Sequence, residues 1–363
     1  MIYLIDDKIA YIDQMIAGNY IKYVRLNELI NQSYYSSNAT ELNLFIDLNS
    51  VIKPLFVSGY KYYRSKNPYD IVSSVLNMCG HYKEFFTNKG VDTKIFIVMG
   101  LNCPKINSEM VPGYNQLLLN SYILKKDIYA FVLNNLSMLD LLCEHIPGIY
   151  FIDGGNCEVS SIICHIIKTY ALEDNSNRTS IVLSKDILPL QLIPMFGLRV
   201  LRPFKTKDGD ESYIVDNTNL FQMYCTLYRK TKVPNLNLGP NLISNLLAMG
   251  RVPERNMNSV FGISQIINIM KTALEYKFIS IDTMYTQSSM NTVLSALGVK
   301  CNTTELEMRW KAINPDFQCS FIVPNEAPYL KQLRLVDMES YDELRLVIDN
   351  FNSKYTPIDL DRL

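Results

Sequence analysis

Three acidic residues stand at or just past strand-length apolar runs, where their carboxylates can act together. Asp47 closes such a run directly, Glu158 follows one across a glycine turn, and Asp186 follows one across Ser184-Lys185. Open α/β sheets place their ligands outside the carboxyl ends of their strands. We therefore predict that the three carboxylates converge at one edge of a sheet and form the functional site. Taken alone, Asp47 fits equally well as the N-cap of a following helix.

The composition sets limits on the kind of protein. The chain has 363 residues, 48% of them hydrophobic, and a formal net charge of −1. It is therefore expected to fold around a large core, and any nucleic-acid surface must be a local basic patch. The 8 cysteines show no zinc-finger spacing, which favours reduced buried thiols. No apolar run has membrane-spanning length, so we expect a soluble protein in a reducing compartment, cytoplasmic or virion-associated.

The hydrophobic pattern predicts an α/β fold with a mainly parallel central sheet flanked by helices. Buried strands are expected at 42–50, 93–100, 149–152, 180–183, 196–203 and 212–215. Helical spacing appears at 70–88 and 121–145, from Glu158 onward, and at 304–312 and 341–351. The expected divisions are an N-terminal extension at 1–40, an α/β core at 41–235, a helix–hairpin-type element at 236–280 and a helical C-terminal extension at 281–363.

Two motifs follow predicted strands: Glu158-Val-Ser-Ser at a helix start, and a segment that contains Asp186 and a trailing Gln191-Leu192. They resemble the core of the flap-endonuclease-like 5′-nucleases, in the PIN-like superfamily. That family has Glu-Ala-Asp-Asp at the first place and Ser-Gly-Asp-Lys-Asp-Leu-Leu-Gln-Leu at the second. The skeleton is retained, while several acids are replaced: both aspartates of the first motif are serine, and the second aspartate of the other is Leu188.

A third resemblance lies at 241–271 and concerns a helix–hairpin element that binds DNA. Glycines frame the family's element; this chain keeps Gly250 and Gly262, and it has Arg251 and Glu254 at or near the places of two aspartates. Such glycine turns present backbone N–H groups to phosphates, so Arg251 and Gly262 are candidates for nucleic-acid binding. The alternative is that a glycine between two helices is simply a C-cap.

The resemblance also implies a metal site and a basic lid. Family members cleave phosphodiesters with two divalent metals held by many carboxylates. Here the implied ligands are Asp47, Glu158 and Asp186, with Asp153 as a substitute, and they suffice for one Mg²⁺ or Mn²⁺. Met99 stands where the family has a further aspartate. The lid at 101–122 keeps a proline and a tyrosine but not its cations, for which Lys125 and Lys126 are substitutes unless they form a solvated helix face.

These departures favour a catalytically degenerate 5′-nuclease-fold protein that binds nucleic acid, DNA in the first place, or serves in a larger protein assembly. An amino-acid composition rich in Asn, Ile, Lys and Tyr is typical of AT-rich genomes, and it points to a phage or other virus. The alternative is an active Mg²⁺-dependent 5′–3′ exonuclease or flap endonuclease with a reduced metal site. We expect no membrane partner.

Overall fold

The computed structural model describes residues 39–50, 68–100, 105–114, 146–154, 157–206, 209–228, 238–275 and 297–319, with a few single residues between them. Lys125 and Lys126 lie outside the described residues. So do residues 1–38 of the expected N-terminal extension, the helix expected at 341–351 and nearly all of the one expected at 121–145.

Six strands form one sheet in the order β3-β2-β1-β4-β5-β6. All neighbours are parallel except β5 and β6, which are antiparallel. The strands are β1 Glu41–Asp47, β2 Asp92–Met99, β3 Ile149–Asp153, β4 Arg178–Leu183, β5 Arg199–Thr206 and β6 Gly209–Val215. The predicted mainly parallel α/β fold is confirmed. We call the edge at which β1 to β5 end the carboxyl edge.

The central strands are apolar on both faces because helices cover both sides of a parallel sheet. In β1, Leu44, Phe45 and Ile46 are all fully buried. The ring of Phe45 stacks on that of Phe96 in β2, with centroids 4.8 Å apart. Continuous burial of this kind explains why the strands are readable from the sequence as apolar runs.

Nine helices whose full ranges lie within the described residues flank this sheet. They are α1 Pro68–Thr87, α2 Lys105–Met110, α3 Val159–Tyr170, α4 Leu192–Phe196, α5 Leu220–Leu227, α6 Pro240–Met249, α7 Ile263–Glu275, α8 Thr303–Ile313 and α9 Pro315–Cys319. Short 3₁₀ helices lie at Leu188–Gln191 and Pro253–Arg255. None of the described helices is both long and apolar enough to cross a membrane.

Helix α3 begins immediately after Glu158, which is its N-cap residue, as the sequence predicted. Val159, Ile162, Ile163, Ile166 and Ile167 recur at helical spacing and are all buried. The helix is thereby fixed against the sheet. Because the Glu158 side chain makes no capping hydrogen bond, its carboxylate is available for other partners.

The segment assigned to a C-terminal extension packs into the same core through α8. Arg309 is buried and donates hydrogen bonds to the carbonyl oxygens of Ala248 at 2.6 Å, Gly250 at 2.9 Å and Asn258 at 2.7 Å. The guanidinium thus satisfies carbonyl groups around the C-terminal end of α6, which have no partner inside that helix. The Asn107 amide donates to the carbonyl of Ala312 at 2.8 Å.

Candidate functional site

Asp47, the last residue of β1, accepts three hydrogen bonds at the carboxyl edge. The hydroxyls of Ser50 and Ser184 each donate to Oδ2 at 2.6 Å, and the backbone N–H of Asn49 donates to Oδ1 at 3.1 Å. Burial raises the pKa of Asp47 to about 6, although the two serine hydroxyls oppose this shift. A buried carboxylate that accepts only from neutral groups keeps a strong need for a cation or a proton.

Ser184 connects Asp47 to the second predicted acid, Asp186. Its Oγ donates to Asp47 and accepts the backbone N–H of Asp186 at 3.0 Å. The carboxylate of Asp186 then accepts the backbone N–H of Leu188 through Oδ1 at 3.1 Å. The turn after β4 therefore holds Asp186 beside the end of β1.

Arg255 joins Asp186 to the third predicted acid, Glu158. Its Nε donates to Glu158 Oε1 at 2.8 Å and its Nη2 to Glu158 Oε2 at 2.6 Å, and Nη2 also contacts Asp186 Oδ2. The side chains of Arg255 and Glu158 are each only 1% exposed. Burial opposes the charge of Arg255, but the Asp186 and Glu158 carboxylates outweigh it, so the pKa of Arg255 lies well above its ordinary value.

Tyr114 completes what we call the Arg255 cluster, formed by Arg255, Glu158, Asp186 and Tyr114. The Tyr114 hydroxyl donates to Glu158 Oε1 at 2.6 Å. Burial raises the pKa of Tyr114 well above its ordinary value and the Glu158 charge raises it further, so the hydroxyl stays protonated. Glu158 thus accepts three hydrogen bonds, two from the Arg255 guanidinium and one from the Tyr114 hydroxyl.

The Arg255 cluster does not fit a resident divalent metal ion. Glu158 gives both oxygens to the guanidinium and Asp186 gives one, so the lone pairs that Mg²⁺ would use are directed at N–H groups. Mg²⁺ demands near-octahedral oxygen ligands at about 2.0–2.1 Å. A divalent ion there would have to displace a cation held by two carboxylates in a dry site.

The positions at which the motif resemblance implied further acids carry buried non-acidic side chains. Ser160 and Ser161 lie in the first turn of α3, as predicted, and both are buried. Within the described part of the chain, neither hydroxyl oxygen has a hydrogen-bond partner. Met99 and Leu188 are buried apolar residues.

Glu254 lies beside the Arg255 cluster and pairs with Arg202. Glu254 Oε1 accepts a hydrogen bond from Arg202 at 3.0 Å. Burial raises the pKa of Glu254 and the nearby Asp186 charge raises it further, although Arg202 opposes both. Asp153 is the last residue of β3 at the carboxyl edge.

The two described candidates for nucleic-acid contact are exposed. The backbone N–H of Arg251 donates to the hydroxyl of Tyr228 at 2.8 Å, which holds the turn after α6. Gly262 directly precedes α7 and accepts the N–H of Ile266 at 3.0 Å, so it starts a helix rather than ending one. The C-cap alternative is therefore wrong for Gly262, but it is confirmed for Gly250, which is the C-cap residue of α6. Among the described residues, no atom lies within 4 Å of where a Cβ at Gly262 would stand.

The sequence reasoning missed Arg255, which is the centre of the site. It also missed Ser50 and Ser184 as donors to Asp47 and the bond from Tyr114 to Glu158. One signal was present: Arg255 directly follows Glu254 in a stretch that aligns with an acidic motif of the related family. A basic residue inside an acidic motif is a reason to ask whether it replaces the metal charge.

Comparison with solved structures identifies the fold. No protein-family model and no curated protein matches the chain. The D15 flap endonuclease of bacteriophage T5, co-crystallised with metal ions, is 13% identical and superposes with a TM-score of 0.50 over 84% of this chain and 99% of its own. The chain has the flap-endonuclease-like 5′-nuclease fold.

Two further structures match with lower TM-scores. T5 5′-exonuclease with bound zinc is 13% identical, with a TM-score of 0.48 over 84% of this chain and 99% of its own. Human GEN1 in complex with Holliday junction DNA is 14% identical, with a TM-score of 0.38 over 85% of this chain and 72% of its own.

Proposed function

We propose that this chain is a catalytically degenerate 5′-nuclease-fold protein that acts as a nucleic-acid-binding or assembly component, in a phage or other virus. The observation that carries the proposal is the Arg255 guanidinium between Glu158 and Asp186, in a place where a nuclease of this fold needs carboxylates free for metal. The protein keeps the acids and supplies its own cation to them.

A guanidinium cannot do the work of a divalent ion. Metal-dependent hydrolysis needs bound water with a lowered pKa and a Lewis acid on the phosphate. Arginine only donates hydrogen bonds, and it stays protonated. Its Nε and Nη2 donate to Glu158 and Asp186, and its Nη1 donates to the Glu254 carbonyl at 3.2 Å. The cluster therefore offers neither an activated water nor a vacant cationic group to a scissile phosphate.

The binding part of the proposal rests on the fold and on the turn between α6 and α7. Helix N-termini favour anions because their first N–H groups have no partner inside the helix. Gly262 is exposed directly before α7, and Arg251 is an exposed cation in the same hairpin element. The T5 protein with this fold is a flap endonuclease that was crystallised with DNA. By analogy, we propose the phosphodiester backbone of a nucleic acid as the ligand of this chain.

Cleavage and binding have to be measured on the same preparation. A 5′-flap DNA labelled at its 5′ end is incubated with the purified chain in Mg²⁺ and in Mn²⁺, beside the Asp186→Ala variant. We expect no 5′-end-dependent cleavage from either protein. Robust turnover by the natural chain that Asp186→Ala abolishes would overturn the proposal and establish the alternative, an active nuclease with a reduced metal site.

Binding to the same DNA is followed by fluorescence anisotropy across a salt titration. We expect an affinity that falls with salt, and in Arg251→Ala a salt slope smaller by about one, as for the loss of one phosphate contact. Lys89→Ala is the matched control, because Lys89 lies in the turn before β2, at the opposite edge of the sheet. An equal change in both variants would remove the turn between α6 and α7 from the binding surface.

A further inference from the structure

Two thiols and a carboxylate meet between α3 and α9, away from the carboxyl edge. The Sγ atoms of Cys164 and Cys319 are 3.9 Å apart, and Cys319 Sγ is also 3.9 Å from Asp316 Oδ1. One ligand atom from each of the three residues lies within 4.8 Å of the others. We call Cys164, Asp316 and Cys319 the thiol cluster.

These separations match the edges of a tetrahedral zinc site. A Zn–S bond of about 2.3 Å and a tetrahedral angle put two sulfur ligands about 3.8 Å apart. A sulfur and a carboxylate oxygen on the same ion lie about 3.6 Å apart by the same construction. The observed 3.9 Å between Cys164 and Cys319 is about 0.1 Å longer than the first edge, and the 3.9 Å between Cys319 Sγ and Asp316 Oδ1 is about 0.3 Å longer than the second. The third pair of ligand atoms lies within 4.8 Å, so binding requires the side chains to rotate toward the ion.

We propose that Cys164, Asp316 and Cys319 form a zinc site, with water as the fourth ligand, that fastens α9 to α3. Thiolate sulfur selects zinc over the hard ions Mg²⁺ and Mn²⁺. The site is therefore separate in both place and chemistry from the carboxylates around Arg255. It does not depend on the proposed nucleic-acid role.

The surrounding charges balance this assignment. Two thiolates and a carboxylate carry three negative charges, of which the zinc ion neutralises two. The ammonium of Lys168, one turn after Cys164 on α3, forms an ion pair with Asp316 and supplies the third positive charge. A donor that holds a ligand carboxylate in this way is a common outer partner of metal sites.

Access and packing also agree with a metal that enters from solvent. Cys164 is buried, whereas Cys319 is partly exposed and Asp316 is exposed, so one side of the cluster is open. Helix α9 has only five residues, Pro315–Cys319, and two of the three ligands are on it. A short helix has little packing area of its own, and a bond to Cys164 would hold its end in place.

The test uses the full chain and zinc alone as the probe. The reduced, metal-free protein is titrated with Zn²⁺ against a chromogenic chelator, and Co²⁺ is substituted to look for thiolate-to-metal charge-transfer absorption. We expect one ion per chain with that absorption. Cys319→Ser and Asp316→Asn should lose the tight binding, and Lys168→Met should weaken it by roughly 10- to 100-fold.

Two controls separate this site from the rest of the molecule. Cys301→Ser removes another partly exposed cysteine and should leave zinc binding unchanged. Asp47→Asn alters the carboxyl edge and should also leave it unchanged. The proposal fails if Cys319→Ser binds zinc as tightly as the natural chain, or if Asp47→Asn abolishes the binding. It also fails if the reduced protein takes up no zinc and the oxidised protein forms a Cys164–Cys319 disulfide instead.

Discussion

Replacement of Arg255 by alanine should turn the carboxyl edge into a metal-binding site at the expense of stability. The variant leaves Glu158 and Asp186 buried without their common cation. Removal of one partner from a buried ion pair typically costs about 3–5 kcal/mol. We expect a loss of that size in the free energy of unfolding, measured by urea denaturation in the presence of a chelator.

Divalent ions should then recover a large part of this loss. A ligand that binds only the folded state adds about 2.7 kcal/mol when present at 100 times its dissociation constant. Arg255→Ala should therefore gain about 2–3 kcal/mol in saturating Mn²⁺. The natural chain should gain nothing at this site, because Arg255 already compensates the carboxylates.

Arg309→Ala is the matched control for this experiment. Arg309 is also a buried arginine, but its hydrogen bonds go to backbone carbonyls rather than to carboxylates. Its loss should destabilise the protein without creating any response to Mn²⁺. The reasoning is refuted if Arg255→Ala shows no more stabilisation by Mn²⁺ than Arg309→Ala, or if the natural chain responds as strongly as Arg255→Ala.

Three other perturbations test separate parts of the structure. Tyr114→Phe removes a hydroxyl that donates to buried Glu158 at 2.6 Å. The free energy of unfolding, measured by urea denaturation, should fall by about 1–3 kcal/mol, and an unchanged midpoint would contradict this hydrogen bond. Gly250→Ala would place a Cβ 1.8 Å from the Tyr224 hydroxyl. Overpacking of this kind should destabilise the protein by about 1–3 kcal/mol and lower its melting temperature, and an unchanged melting temperature would contradict this close approach. Burial raises the pKa of Asp174 from 3.8 to about 6, so its folded form binds the proton more tightly and its contribution to stability is present below pH 4 and lost as pH rises through about 6. Relative to Asp174→Asn, the natural chain should therefore lose about 2–3 kcal/mol between pH 4 and pH 7, and a constant difference would refute the assignment.

The strands and the acids that follow them were readable from the sequence for a physical reason. A parallel strand buried on both faces is a continuous apolar run, and its end is marked by the first polar residue, as Asp47 marks the end of β1. The start of β5 was predicted three residues early because α4 is as apolar as a strand. Gly197, in the left-handed region with a φ of 73°, ends α4 just before β5.

The partners of those acids were not readable. Arg255 is separated from Glu158 by 97 residues and from Asp186 by 69. No local pattern says which carboxylate an arginine reaches across such a distance. The same holds for Asn107 and Ala312, whose hydrogen bond joins α2 to a segment that looked like an appended extension. Long-range pairing is set by the fold as a whole.

The Arg255 cluster gives Glu158 and Asp186 a reason to be retained in evolution that is independent of catalysis. Once Arg255 is buried between Glu158 and Asp186, a neutral residue at either acidic position leaves an arginine charge under-compensated in a dry site. Selection for folding alone would then retain both acids even in a chain that no longer cleaved nucleic acid. In descendants of this chain, the persistence of Glu158 and Asp186 would record the presence of the arginine rather than of an active enzyme, and Arg255 would be the last of the three free to change.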